Sequence, residues 1–183
     1  NDLSQNLNEQ NYFKNPKILI DDLIQSFSNN EFGYDNFGTI AHAFTESIFT
    51  KEQAKIPSYL VQMLSEKQKT IIFEEAQNMA QRFYDSELGK LAQQSDWRQN
   101  EYDFKLFVKA NSKIGNAEFD SQTIIKGQID LVFRNPKNSN EYIIIDFKTD
   151  KDEIPEIHIN QLESYRLAVS KFRNTNLSNV KCY

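Results

Sequence analysis

The sequence predicts an α+β fold, with helices first, then a small mixed sheet flanked by those helices, then one more helix and strand. Three observations predict it. Between Pro16 and Gln93 the apolar residues recur at helical spacing. Between Trp97 and Phe147 they alternate with polar residues or run together, as strands do. After Pro155 the helical period returns, and Val180-Lys181-Cys182 then reads as a strand beginning. Helices segregated in sequence from strands, rather than alternating with them, mark the α+β class.

Taken in order, residues 1–15 are polar and read as a disordered segment or linker. Residues 16–183 read as one domain. Pro16 suits a first helical turn, and Ile18, Leu19, Leu23, Ile24 and Phe27 continue it until Ser28-Asn29-Asn30 breaks the period. The glycines of Gly33-Tyr34-Asp35-Asn36-Phe37-Gly38-Thr39 are spaced like a phosphate loop. That motif is rejected, because no Lys precedes Thr39 and no strand precedes the loop. From Gly38 to Thr50 the period is helical, with Ile40, Ala43, Phe44 and Phe49 on one side and Ile48 widening it. Lys51 to Ser58 is a connection through Pro57. Ile71, Ile72, Met79 and Phe83 predict a long helix from Glu66 to about Tyr84, and Ser86 is a candidate cap for a short one over Glu87–Gln93.

Trp97 opens the strand region. Tyr102, Phe104, Leu106 and Val108 alternate with Asp103, Lys105 and Phe107, the pattern of a strand buried on one face. Ile114 to Ser121, with Gly115, reads as a turn or loop insertion. Thr123–Phe133 and Glu141–Phe147 are the next strands, joined by a turn rich in Asn, Pro and Ser. Thr149 to Pro155 is acidic and turn-like. Ile157, Leu162, Tyr165, Ala168, Val169 and Phe172 then predict a helix of four turns or more.

The chain's 183 residues suffice for one domain with a proper core. A net charge of −5 excludes a global basic field, so an anionic polymer would have to be held locally. The single cysteine, Cys182, excludes an internal disulfide framework and a four-cysteine metal or iron–sulfur site, and suggests a reducing, cytoplasmic compartment. No apolar stretch approaches membrane-spanning length. The chain opens without Met and stops within an incipient strand, which reads as a fragment of a longer polypeptide.

The chemistry concentrates at two strand ends. Ile143-Ile144-Ile145 runs into Asp146-Phe147-Lys148, a carboxylate and an ammonium two residues apart and therefore expected on one face. Asp130 interrupts the apolar run of the preceding strand, and a hairpin would bring it to Asp146. A buried carboxylate needs a partner, which a cation can supply. His42 and Glu46, four apart on a helix, share a face and are a plausible ligand pair, or a ligand and its orienting neighbour. Gln161 and Tyr165 are also four apart, one turn beyond His158. They read either as a solvated stripe or as contacts to a phosphate backbone.

Taken together, these segments resemble a known family. Gly127-Gln128-Ile129-Asp130-Leu131-Val132, Ile145-Asp146-Phe147-Lys148-Thr149 and Gln161-Leu162-Glu163-Ser164-Tyr165 are similar to the nuclease domain of the RecB/AddA group, within the PD-(D/E)XK superfamily. Gly38-Thr39-Ile40-Ala41-His42 resembles the group's upstream Gly-x-x-x-His segment, and Glu101-Tyr102-Asp103-Phe104 its Glu-x-x-Phe strand. His158 departs from it, standing where a Tyr is common.

The resemblance implies a restriction-endonuclease-like core, three-layer α/β/α in character. It implies a Mg²⁺-dependent DNA nuclease of exonuclease type, with Mn²⁺ able to substitute and no iron–sulfur cluster. Its implied setting is an ATP-dependent helicase-nuclease acting in double-strand-break resection, so the partners are DNA, the helicase domains of a parent chain and a second subunit, with no membrane. Asp130, Asp146 and Lys148 are the catalytic candidates. His42, Asp130, Asp146 and the Phe147 carbonyl are the metal-ligand candidates. Glu46, Glu101, Thr149, Gln161 and Tyr165 are expected beside the ligands, at a second metal or on DNA. Lys148 would align or deprotonate the attacking water, or neutralise the transition state. The competing reading is a DNA-binding or docking domain of the same fold with weak or no cleavage.

Overall fold

A computed structural model describes residues 32–148 and 155–183, the side chains of 155–157 excepted. Among these residues there are five α-helices: α1 (Tyr34–Thr50), α2 (Ser58–Met63), α3 (Glu66–Asp85), α4 (Glu87–Gln94) and α5 (Pro155–Arg173). The strands are β1 (Arg98–Val108), β2 (Ser112–Ile114), β3 (Ala117–Phe119), β4 (Thr123–Arg134), β5 (Tyr142–Ile145) and β6 (Val180–Cys182). The α+β class with a small mixed sheet is what the chain adopts. No described helix is long and apolar enough to cross a membrane. The helix expected over Pro16–Phe27, residues 149–154 of the expected turn and Thr149 itself lie outside the described residues, and Pro155 opens α5 as expected.

The chain sorts into two compact units. The first comprises the described residues up to Gln93 together with Phe147 and Lys148. Its core is Phe37, Ile40 and Ala41 of α1, Leu60 of α2, and Ile72, Ala76 and Met79 of α3, with Phe32 and Leu64. Helix α1 starts a turn earlier than its apolar period suggests, with Gly38 buried inside it, and ends where Lys51 turns into the left-handed region and donates its N–H to the Ser47 carbonyl. A reciprocal cap sets the start of α3: Gln68 N–H reaches Ser65 Oγ, and Ser65 N–H reaches Gln68 Oε1 at 2.9 Å. Ser86 accepts the Gly89 N–H at 3.0 Å and so starts α4 where expected.

The second unit holds Gln94–Asp146 and the described residues from Pro155 on. Its four-stranded sheet runs β1-β4-β5-β6, antiparallel except for the parallel β5–β6 pair. Helix α5 connects that parallel pair and packs Tyr165, Ala168 and Val169 against Phe104, Leu106, Val108, Ile129, Val132 and Ile144. Phe172, expected in the apolar stripe of this helix, is exposed. The segment expected as a loop insertion contains the β2–β3 hairpin, with Gly115 at positive φ in its turn. Its pairs are too short to show as an apolar period.

The strand ending in Asp146-Phe147-Lys148 is shorter than expected. Regular pairing to β4 stops at Ile145, and Asp146, Phe147 and Lys148 lie past the strand. Alternation along a strand therefore does not govern Asp146 and Lys148. The backbone at Asp146 is still held, since its N–H donates to the Tyr183 carbonyl at 3.1 Å and Tyr183 N–H donates to Ile144 at 3.0 Å.

Candidate active site

Pairing register lines up three carboxylates in the second unit. In the β1–β4 ladder Asn100 faces Leu131 and Tyr102 faces Ile129, so Glu101 stands opposite Asp130. In the β4–β5 ladder Leu131 faces Ile145, the last pair, and Asp146 follows just past it. Glu101 and Asp130 thus face each other in a row that Asp146, one residue beyond the end of β5, adjoins in the order of the strands; all three are half-buried. A carboxylate oxygen of Glu101 and one of Asp130 lie within 4.8 Å of each other. Like charges directly opposed across strands are destabilising, so the row is a place where a cation is gained at low cost.

The backbone departs from regularity at the same row. Glu101 has φ 47°, and Glu101 and Asp130 are the one pair missing from the β1–β4 ladder, although the register is the same on either side. Ile129 and Val132 belong to the same apolar cluster while standing three residues apart, so the two-residue alternation slips by one step between them. A left-handed non-glycine residue inside a strand stores about 1–3 kcal/mol of strain, and such residues gather at functional sites.

Tyr165 of α5 looks toward this row. Burial, opposed by the Gln161 amide and assisted by the charges of Asp146, Asp130 and Glu101, pushes its phenol up to about 12. Gln161 Nε2 donates to Tyr165 Oη at 2.6 Å. The expected Gln161–Tyr165 stripe is therefore one joined pair, with Tyr165 buried. The Tyr165 ring meets Phe104 edge-on at 5.6 Å. Gly127 makes room for both rings: a Cβ there would sit 2.7 Å from the Phe104 ring and 3.6 Å from Tyr165.

In the first unit, His42 projects from α1 and its Nε2 lies 3.0 Å from the Phe147 carbonyl oxygen, which accepts its hydrogen bond. The Phe147 ring packs edge-on to His42 at 6.0 Å and to Phe83 of α3 at 4.8 Å. Those two contacts hold the Phe147 ring, and the Phe147 carbonyl faces the imidazole. Two ligands at right angles on a cation with bonds of about 2.0–2.1 Å stand about 2.9 Å apart, so this nitrogen and oxygen are spaced as neighbouring ligands of a small divalent ion. Glu46 is half-buried one turn along α1, and Lys148 is half-buried beside Phe147.

The sequence model of the PD-(D/E)XK nuclease superfamily matches residues 21–180. The chain belongs to that superfamily. Comparison with curated proteins returns no match. PD-(D/E)XK nucleases are hydrolases that cleave phosphodiesters of nucleic acid with the help of divalent metals. In this PD-(D/E)XK domain, Asp146-Phe147-Lys148 reads Asp-x-Lys, and Asp130 stands in the preceding strand.

One placement goes beyond the sequence reading. Glu101 was expected only near the ligands or at a second metal, whereas it stands in register with Asp130. Its pairing spans the β2–β3 hairpin, and no local pattern in the sequence encodes that register.

Proposed function

We propose that this domain is a Mg²⁺-dependent deoxyribonuclease of the RecB/AddA type, working as the exonuclease module of an ATP-dependent helicase-nuclease in double-strand-break resection. The observation that carries the nuclease reading is the Glu101–Asp130 pair set directly opposed across β1 and β4, with Asp146 just past the end of the neighbouring β5. The motif resemblance, from Gly-x-x-x-His to Gln-x-x-x-Tyr, carries the narrower assignment.

In this reading Asp130, Asp146, the Phe147 carbonyl and His42 hold the cation, with Glu101 in line to assist. These are hard oxygen donors plus one imidazole, a set that suits Mg²⁺ and tolerates Mn²⁺. A divalent cation so held supplies Lewis acidity toward a phosphate oxygen and a nucleophile at neutral pH. The chain's own groups do the rest. Asp130 and Asp146 supply the carboxylate oxygens. Lys148 places an ammonium beside the reacting phosphate, to orient the attacking water or to offset charge in the transition state. The Gln161 amide holds the Tyr165 phenol, which stays protonated and can donate a hydrogen bond at neutral pH.

Linear single- and double-stranded DNA incubated with Mg²⁺ or Mn²⁺, with and without EDTA, tests the reading. Cleavage that requires the metal and is lost in Asp146→Ala supports it. Binding without cleavage by the intact protein would select the competing reading of a DNA-binding domain.

A further inference from the structure

Past the carboxylate row, β1 and β4 stay paired as far as Val108 and Thr123. One face of this arm lies under α5, with Phe104, Leu106 and Val108 in the core. The other face presents three successive cross-strand pairs, Asp103–Gln128, Lys105–Lys126 and Phe107–Ile124, all exposed. Asp103 accepts a hydrogen bond from the Gln128 amide at 3.1 Å. Lys105 and Lys126 face each other directly, and among the described residues neither forms an ion pair. Two ammonium groups so placed repel unless an anion lies between them. The next pair exposes Phe107 at 51% and Ile124 at 60% of their surface. Lys109 follows just past the end of β1, also exposed. In a chain with net charge −5, this face is locally cationic and ends in an open aromatic ring.

We propose that this face of β1 and β4 binds a single-stranded polynucleotide, with Lys105 and Lys126 on its phosphates and Phe107, flanked by Ile124, stacked on a base. The proposal rests on the nuclease reading for its ligand class, and the row of carboxylates lies at the inner end of the same two strands. Pairs on one face repeat about every 6.6–6.8 Å along a strand, so successive pairs can meet successive nucleotides. A single strand fits better than a duplex because stacking on a ring needs an unpaired base. Lysines on edge strands commonly deter unwanted strand pairing. Both strands are edges at this point, since β5 pairs only Leu131–Arg134 of β4, but that purpose does not call for two ammonium groups set directly against each other beside an open Phe107 ring.

The test measures binding of a short labelled oligodeoxythymidylate, and of a duplex, by the intact protein in EDTA over a range of salt. In K105E/K126E the single-strand affinity should fall about tenfold or more, and the log–log salt slope should become shallower by about 1.4, roughly 0.7 for each lost phosphate contact. Phe107→Ala should weaken single-strand binding about fivefold or more and leave the salt slope in place. Melting curves confirm that each variant folds. Unchanged affinity and slope in the folded charge variant, or equal losses for single strand and duplex with Phe107→Ala silent, would overturn the proposal. Metal-dependent cleavage by the wild-type protein with unaltered variant binding removes this face alone. Weakened variant binding with no wild-type cleavage in Mg²⁺ or Mn²⁺ removes the nuclease reading and leaves the face standing.

Discussion

Glu101 and Asp130 stand directly opposite each other across β1 and β4, with carboxylate oxygens within 4.8 Å and Glu101 in a left-handed backbone conformation. Two carboxylates so close repel, and a divalent cation held by both would offset that repulsion. Saturating Mg²⁺ or Mn²⁺ should therefore raise the melting temperature. A ligand at a hundredfold its dissociation constant adds about 2.7 kcal/mol, or about 5–10 °C for a chain of this size. Asp130→Asn should lose most of the metal response. Differential scanning fluorimetry reads both. A wild type indifferent to either metal would count against a cation at the row.

Alanine at Asp130, Asp146 or Lys148 should each lower the DNA cleavage rate by about 10²-fold or more. All three are half-buried rather than core residues, so circular dichroism should show the variants folded. Glu101→Gln separates the structural account from the motif account. Register puts Glu101 in the row, so its loss should raise the metal concentration needed for half-maximal cleavage. A variant titrating like wild type would place Glu101 outside the ligand set.

Gly127→Ala adds a Cβ that would sit 2.7 Å from the Phe104 ring. Phe104 is buried and braced against Tyr165, so the ring cannot simply swing away. The strain should cost about 1–3 kcal/mol. Urea unfolding should show it, together with a fall in cleavage as Tyr165 is displaced. The double variant with Phe104→Leu should recover part of the stability.

Alkaline pH should destabilise the fold in a defined window. Burial pushes the Cys182 thiol up to about 12, with Arg166 opposing, and burial pushes the Tyr165 phenol to about 12 with help from the carboxylate row. The unfolded chain releases these protons nearer pH 8.5 and 10. The folded state therefore holds more protons between those values and about 12. Stability is fully present below the unfolded values and is lost as pH rises through the folded ones. Urea midpoints from pH 8 to 11 should fall, and Tyr165→Phe should flatten the part of the decline above pH 10. At pH 8 the Cys182 thiol should react with a disulfide reagent far more slowly in the folded protein than in urea.

The order of helices and strands was legible in the sequence because each element carries its own period. Phe104, Leu106 and Val108 face inward as their alternation requires, and α3 spans the residues that its apolar period marks. Local capping chemistry at Ser65 and Ser86 bounds the helices there. The chemistry-bearing residues were legible too, since a carboxylate inside an apolar strand is conspicuous. The early end of β5 was not, because Phe147 is as apolar as the strand before it. Phe147 is instead buried against Phe83, 64 residues away in the chain.

By itself, then, the sequence determined which residues this protein can use and which elements carry them: Asp130 within a strand, Asp146 and Lys148 at the end of another, His42 on a helix. Only the tertiary structure decided their company. It set Glu101 opposite Asp130, aimed the Phe147 carbonyl at His42, joined Gln161 to Tyr165, and left Lys105 facing Lys126 in the open. The physical reason is one of range. Periodicity and capping act over a few residues and are written locally. Register across strands and the direction of a carbonyl depend on packing between segments far apart in the chain, where any one side chain carries only part of the information.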